Sequence, residues 1–190
     1  MGYPFKTKIG VMGSSSSIDD EVERDHLVVL ASELGRAIAE RSGVLITGAT
    51  SGLPDMVSRA ARELGGQTIG ISPAISADEH VSKYKLPADG AEVIIYTGFG
   101  LKGRNVINVR ACDIVIFFGG GIGTLNEFTI SYDEDKVIGV LVGSGGLADK
   151  IKEIASLSSK PRRNVLFNSD PGKLVDLCLA ALAKVEDLPF

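Results

Sequence analysis

The chain has 190 residues, 44% of them hydrophobic and 23% charged, with a net charge of −4. That composition excludes a disordered chain, and the acidic balance excludes a general polyanion binder, whose affinity comes from many Lys and Arg contacts to phosphates. No apolar run approaches the ~20 residues that cross a bilayer; neither a nucleic-acid nor a membrane partner is expected, and without a signal-peptide core at the start the expected residence is cytoplasmic.

The length suits a single domain over residues 1–190 that buries roughly 70% of the surface its unfolded chain exposes. Cys112 and Cys178 sit in apolar surroundings and pair at most once, so they read as buried thiols rather than a disulfide framework. The one dense basic cluster, Lys160, Arg162 and Arg163, flanks Pro161 and reads as a solvated loop, an interface or a phosphate contact.

In chain order, Lys8 to Gly13 reads as a short strand that ends at a glycine and gives way to Ser14, Ser15, Ser16 and Ser17. This is either a phosphate loop or a flexible polar turn. From Asp20 to Ser42, Leu27, Leu30, Ala31, Leu34 and Ile38 recur at helical spacing behind acidic residues that complement the helix dipole. Val44 to Thr47 is a second strand, followed by the turn Gly48-Ala49-Thr50-Ser51-Gly52 and a helix from about Asp55 to Leu64. Gln67 to Ile71 is a third strand. The stretch from Ser72 to Asp89 has two prolines and little periodicity, and reads as an edge excursion or a ligand lid, in which His80 is expected to be solvated. Ala91 to Tyr96 is a fourth strand, and a helix runs from about Arg104 to Cys112.

Asp113 to Asp133 is the most informative stretch. The unbroken apolar run Ile114 to Phe118 suits a parallel strand covered on both faces. Gly119, Gly120, Gly121 and Gly123 let the backbone turn sharply and approach a ligand. Thr124 then reads as the N-cap of a helix aimed at that loop, which makes an anion site. Thr124-x-x-Glu127 has the spacing of a capping box, and a helix starting at Leu125 turns Leu125, Phe128, Thr129 and Tyr132 to the core and Glu127 toward the loop mouth or solvent. Lys136 to Val142, a helix from about Leu147 to Leu157, a strand from Asn164 to Asn168 and a helix from Pro171 to about Lys184, capped by Ser169, complete the chain.

Strands alternating with helices predict an α/β, Rossmann-like doubly wound fold, a mostly parallel sheet of about seven strands with helices on both faces. Ligands of such folds sit outside the carboxyl ends of the strands, where strand order reverses. The glycine-bearing loops after strands one, two, four and five all emerge there. Several common chemistries are missing: no G-x-G-x-x-G follows the first strand, no G-x-x-x-x-G-K-[ST] occurs, and neither H-E-x-x-H, paired C-x-x-C nor G-x-S-x-G is present. A protein-held metal is therefore not expected.

Gly103-Arg104-Asn105 through Asp113, leading into G-G-G-I-G-T-L-N-E from Gly119 to Glu127, resembles the Lonely Guy phosphoribohydrolases and their relatives once labelled putative lysine decarboxylases, which share P-G-G-x-G-T-x-x-E. It is at least as similar to a sister group of Rossmann-like nucleotide-binding proteins that includes the molybdenum cofactor carrier proteins, with a G-G-G-x-G-T loop; Gly13-Ser14-Ser15 also matches. The resemblance implies a homodimer or homotetramer with no required cofactor and a bound small molecule: a nucleotide, phosphate, or a pterin such as molybdopterin. It carries Arg104 and Glu127 onto the catalytic arginine and glutamate, and Arg110 onto a second arginine. Gly13, Ser14, Ser15, Gly48, Arg110, Gly119, Gly120, Gly121, Gly123 and Thr124 become the ligand-binding set. Leu101, Lys102, Asn105 and Gly119 depart from the hydrolase pattern. Two functions follow: N-glycosidic hydrolysis of a nucleoside 5'-monophosphate to free base and ribose 5-phosphate, or non-catalytic carriage of a phosphorylated pterin or nucleotide.

Overall fold

The computed structural model describes residues 5–15, 20–159 and 164–186. Among them the chain alternates strands and helices throughout: β1 (Lys8–Gly13), α1 (Glu21–Glu40), β2 (Val44–Thr47), α2 (Leu53–Glu63), β3 (Thr68–Ser72), α3 (Ala77–Ser82) and β4 (Val93–Tyr96) form the first half. The second half is α4 (Gly100–Arg110), β5 (Ile114–Phe118), α5 (Ile122–Asp133), β6 (Val137–Leu141), a 3-10 turn (Ala148–Lys150) leading into α6 (Ile151–Ala155), β7 (Val165–Asn168) and α7 (Pro171–Glu186).

The seven strands pair in parallel in the order β4-β3-β2-β1-β5-β6-β7. This is the expected Rossmann-like α/β sheet, and strand order reverses between β1 and β5. The carboxyl ends of those two strands open the crevice where such folds bind ligands. β5, at the centre, is buried along its whole length. Ile114, Ile116 and Phe118 pack toward α1, α2 and α7, whereas Val115 and Phe117 pack toward α4, α5 and α6. Period-2 alternation thus feeds two apolar cores, one on each face.

Gly35 is needed where α1 crosses α2: a β-carbon there would overlap the Val57 carbonyl oxygen and crowd Ala60. Asp20 caps α1, its carboxylate accepting from the Glu23 N–H at 2.8 Å. The last helix is capped by Asp170, which accepts from the Lys173 N–H at 2.9 Å, rather than by the expected Ser169. Cys112 and Cys178 are free and buried, and burial pushes each thiol up to about 12, so neither is a nucleophile at neutral pH.

The Ser72 to Asp89 stretch departs from expectation. It contains α3, and His80 is fully buried instead of solvated. Its Nε2 lies 3.0 Å from the Pro87 carbonyl and its Nδ1 2.8 Å from Ser72 Oγ. A carbonyl only accepts, so Nε2 carries the hydrogen and the Ser72 hydroxyl donates to Nδ1. The histidine therefore pins the excursion to the end of β3. A helix of six residues is too short to leave the periodicity by which the sequence would reveal it. Ser16, Ser17 and the cluster Lys160, Arg162 and Arg163 lie outside the described residues. No described helix is long and apolar enough to cross a membrane.

Candidate anion-binding site

A cavity of about 320 Å³ opens at the carboxyl ends of β1 and β5. Gly13, Ser14 and Ser15 after β1, Gly48 and Thr50 after β2, Lys102, Arg104 and Asn105 on α4, and Gly120 to Thr124 with Glu127 on α5 line it. Segments far apart in sequence meet here because parallel strands deliver their following loops to one edge.

The glycine loop is held from behind. Gly119 and Gly120 take positive φ, 60° and 100°, a region open to glycine at little cost. Gly119 donates its N–H to Ser144 Oγ at 2.9 Å, and the carbonyls of Gly119 and Gly120 accept from Ala148 and Leu147 at 3.0 and 2.8 Å. Gly119 therefore braces the loop and does not line the cavity. With its carbonyls tied to the loop after β6, the chain turns into α5, whose N-cap is Gly121 and whose first turn carries no side-chain cap. The opening N–H groups of α5 lack intrahelical acceptors and face a site favoured for anions.

Two local expectations are corrected. α5 begins at Ile122, so Thr124 stands inside the first turn and its Oγ1 donates to the Gly13 carbonyl at 3.3 Å, tying α5 to β1. The capping box is not formed. Glu127 is only 7% exposed and lines the cavity, with Oε1 accepting from Asn108 Nδ2 at 3.3 Å. Thr129 is exposed, and Thr124, Glu127, Phe128 and Ser131 make the buried stripe instead.

α4 begins at Gly100, four residues earlier than expected, which places Lys102 on the helix as well as Arg104. Arg104 is 6% exposed, and its Nε and Nη1 have no hydrogen-bond partner. Gly48 lets it in: a β-carbon at Gly48 would overlap the guanidinium. The Lys102 ammonium lies in the same cavity, 3.4 Å from where a β-carbon on Gly123 would sit. Arg110 does not join them; it is exposed and donates to Glu134 at 2.7 Å. Lys102, Asn105 and Asn108 were not singled out as site residues in the sequence. The signal for the last two was present, since Arg104, Asn105 and Asn108 share one face of α4 and leave it without an apolar stripe there.

Burial pulls the Arg104 guanidinium below its ordinary pKa, opposed by the nearby Glu127 charge. Burial likewise raises the Glu127 carboxyl, opposed by Arg104, then Asn108 and Lys102. The folded protein holds the Glu127 proton more tightly than the unfolded chain, so this group costs nothing below the ordinary value of 4.5 and increasingly destabilises the fold as pH rises through the raised folded value. Glu127→Gln is therefore expected to match wild type in melting temperature below about pH 4.5 and exceed it at neutral pH. Thermal unfolding across pH checks this, and a variant less stable than wild type at pH 7 would contradict it.

An all-parallel Rossmann-like sheet with a G-G-G-x-G-T loop, an upstream arginine and a motif glutamate around one cavity defines a protein of the Lonely Guy-like superfamily. The chain belongs to the SLOG cluster4 family, whose profile matches residues 6–175. A protein of Archaeoglobus fulgidus is 34% identical over 134 residues, 70% of this chain and 79% of that one. Among solved structures, the molybdenum cofactor binding protein of Rippkaea orientalis is similar with a TM-score of 0.73 and 28% identity, covering 97% of this chain and 99% of its own. The molybdenum cofactor carrier protein of Chlamydomonas reinhardtii is similar with a TM-score of 0.73 and 28% identity, covering 94% and 99%.

Proposed function

We propose that the protein binds a small phosphate-bearing pterin or nucleotide in this cavity and carries it without turnover. The observation that supports this most is the buried Arg104 guanidinium, whose Nε and Nη1 lack partners beside an uncapped helix start. Leaving buried charged donors unpaired is costly, and an electron-rich ligand would satisfy them. The phosphate would lie on the N–H groups of Gly120, Gly121, Gly123 and Thr124, and Ser14 and Ser15 would close the near wall. Similarity to a molybdenum cofactor binding protein and a molybdenum cofactor carrier protein over nearly the whole chain supports carriage, as do Leu101, Lys102 and Asn105 in place of the hydrolase residues. Protein purified from its own cells is expected to release a chromophore with pterin or purine near-ultraviolet absorbance on denaturation, and to leave AMP intact. Ligand-free protein that releases adenine from AMP would overturn the reading.

One observation favours the second reading, N-glycosidic hydrolysis. Glu127 is a carboxyl of raised pKa on the cavity wall beside Arg104, suited to take a proton from water as its oxygen joins C1' and to pass that proton to the departing base as the C1'–N bond breaks. Release of free base and ribose 5-phosphate, lost in Glu127→Ala, is its test.

A further inference from the structure

The two edges of the sheet are built differently. β7 sends Val165 and Leu166 toward the two apolar cores, whereas no residue of β4 belongs to either. Yet β4 reads Val93-Ile94-Ile95-Tyr96, an unbroken apolar run of the kind that parallel strands carry when both faces are covered. Val93 and Ile95 are in register with Ile69 and Ile71, on the α4 side of the sheet, and are half exposed. On the other side Tyr96 is partly covered by the Ser72 to Asp89 excursion, with the His80 ring edge-on to it at 6.0 Å.

The apolar surface continues past the strand. Phe99 is 67% exposed, and Ile75, beside Gly98, is 72% exposed. Together Val93, Ile95, Tyr96, Phe99 and Ile75 expose roughly 500 Å², at the upper end of apolar patches on monomeric proteins. A homodimer face of about 800 Å², some ~65% of it apolar, needs that much. No charged residue or proline occurs from Val93 to Phe99, so the strand lacks the devices that usually keep an edge from pairing. Thr97 donates its N–H to the Ser72 carbonyl, and by alternation the N–H and C=O groups of Ile94 and Tyr96 face outward.

We propose that a second copy of the chain docks on this edge, β4 running antiparallel to its copy about a twofold axis, so that two seven-stranded sheets join into one. A twofold operation lets the exposed edge satisfy itself, with the same length and apolar pattern on both sides. Ile94 then exchanges both backbone hydrogen bonds with Tyr96 of the partner subunit. That register leaves Ile95 facing the partner's Ile95 across the axis as a non-hydrogen-bonded pair, their Cα atoms about 4.5 Å apart. Phe99 and Ile75 extend the contact at both ends.

Sedimentation equilibrium and oxidative cross-linking test it. Wild type is expected at an even multiple of the 20.0 kDa chain mass. Ile95→Lys sets like charges opposite one another on the axis and disturbs neither core, so it is expected to halve that mass while keeping the wild-type circular dichroism. Ile95→Cys, with diamide as oxidant, is expected to give a thiol-reversible covalent dimer, because a Cα spacing of about 4.5 Å admits a disulfide. Leu157→Cys, at a position 82% exposed and remote from β4, is the control and is expected to give none. A wild-type mass of one chain, a mass that Ile95→Lys leaves unchanged, or cross-linking of Ile95→Cys no faster than of the control overturns the proposal. If the lysine variant does not fold, the cross-linking comparison decides alone.

Discussion

Replacing Arg104 with methionine is expected to weaken the phosphorylated ligand by roughly ten- to a hundredfold while leaving the melting temperature no lower than wild type. A hydrogen bond to a charged group contributes about 1.5 to 3 kcal/mol, and 1.4 kcal/mol is tenfold in affinity. In the absence of ligand the same guanidinium is a burden, being buried with Nε and Nη1 unpaired. Methionine keeps an unbranched stem in the same space and removes the charge. Gly48→Ala reaches the same end by another route: the new methyl meets only the far end of a flexible side chain, so the guanidinium moves and the sheet does not. Combining the two changes is expected to weaken binding no further than either alone, because both remove one contact. Titration calorimetry with paired melting curves checks this. Full affinity in either variant would mean that the guanidinium does not touch the ligand.

Gly13→Ala is expected to behave in the opposite way, lowering stability by about 1 to 3 kcal/mol and the melting temperature by several degrees. Gly13 pairs with Phe118 at the carboxyl ends of β1 and β5, and an added β-carbon would overlap the Phe118 carbonyl oxygen. Neither atom belongs to a flexible side chain. The clash can be relieved only by parting the two strands whose loops form the cavity, so ligand binding should fall along with stability. A melting temperature within a degree of wild type would show that the strand ends yield without cost.

Much of the fold was legible because each strand that matters is an apolar run closed by a glycine. Ile114 to Phe118 needed no alternation to read as a buried parallel strand, and once strands and helices alternate, their loops share an edge. What escaped the sequence was decided by contacts between distant residues. Thr124 and Glu127 have capping-box spacing whether the helix begins before or after Thr124, and the apolar Ile122 gives no hint of a helix start because it points to solvent, 80% exposed. The burial of Glu127 depends on Asn108 and Arg104 on another helix, a juxtaposition that no local pattern encodes. Lys102 stood out only as a departure from the hydrolase motif; its position at the mouth of α5 appears once α4 is seen to begin at Gly100. Arg110 shared the motif segment with Arg104, yet six residues along α4 it has turned to the outer surface and to Glu134.

The most direct test of the central claim is a titration of wild type and Gly48→Ala with a pterin monophosphate, each protein first shown to have the same melting temperature. Saturable binding of one ligand per chain to wild type, at least tenfold weaker in the variant, is the outcome expected if Arg104 and the start of α5 hold the ligand together. Equal affinity for both proteins, or no binding to wild type, would contradict it.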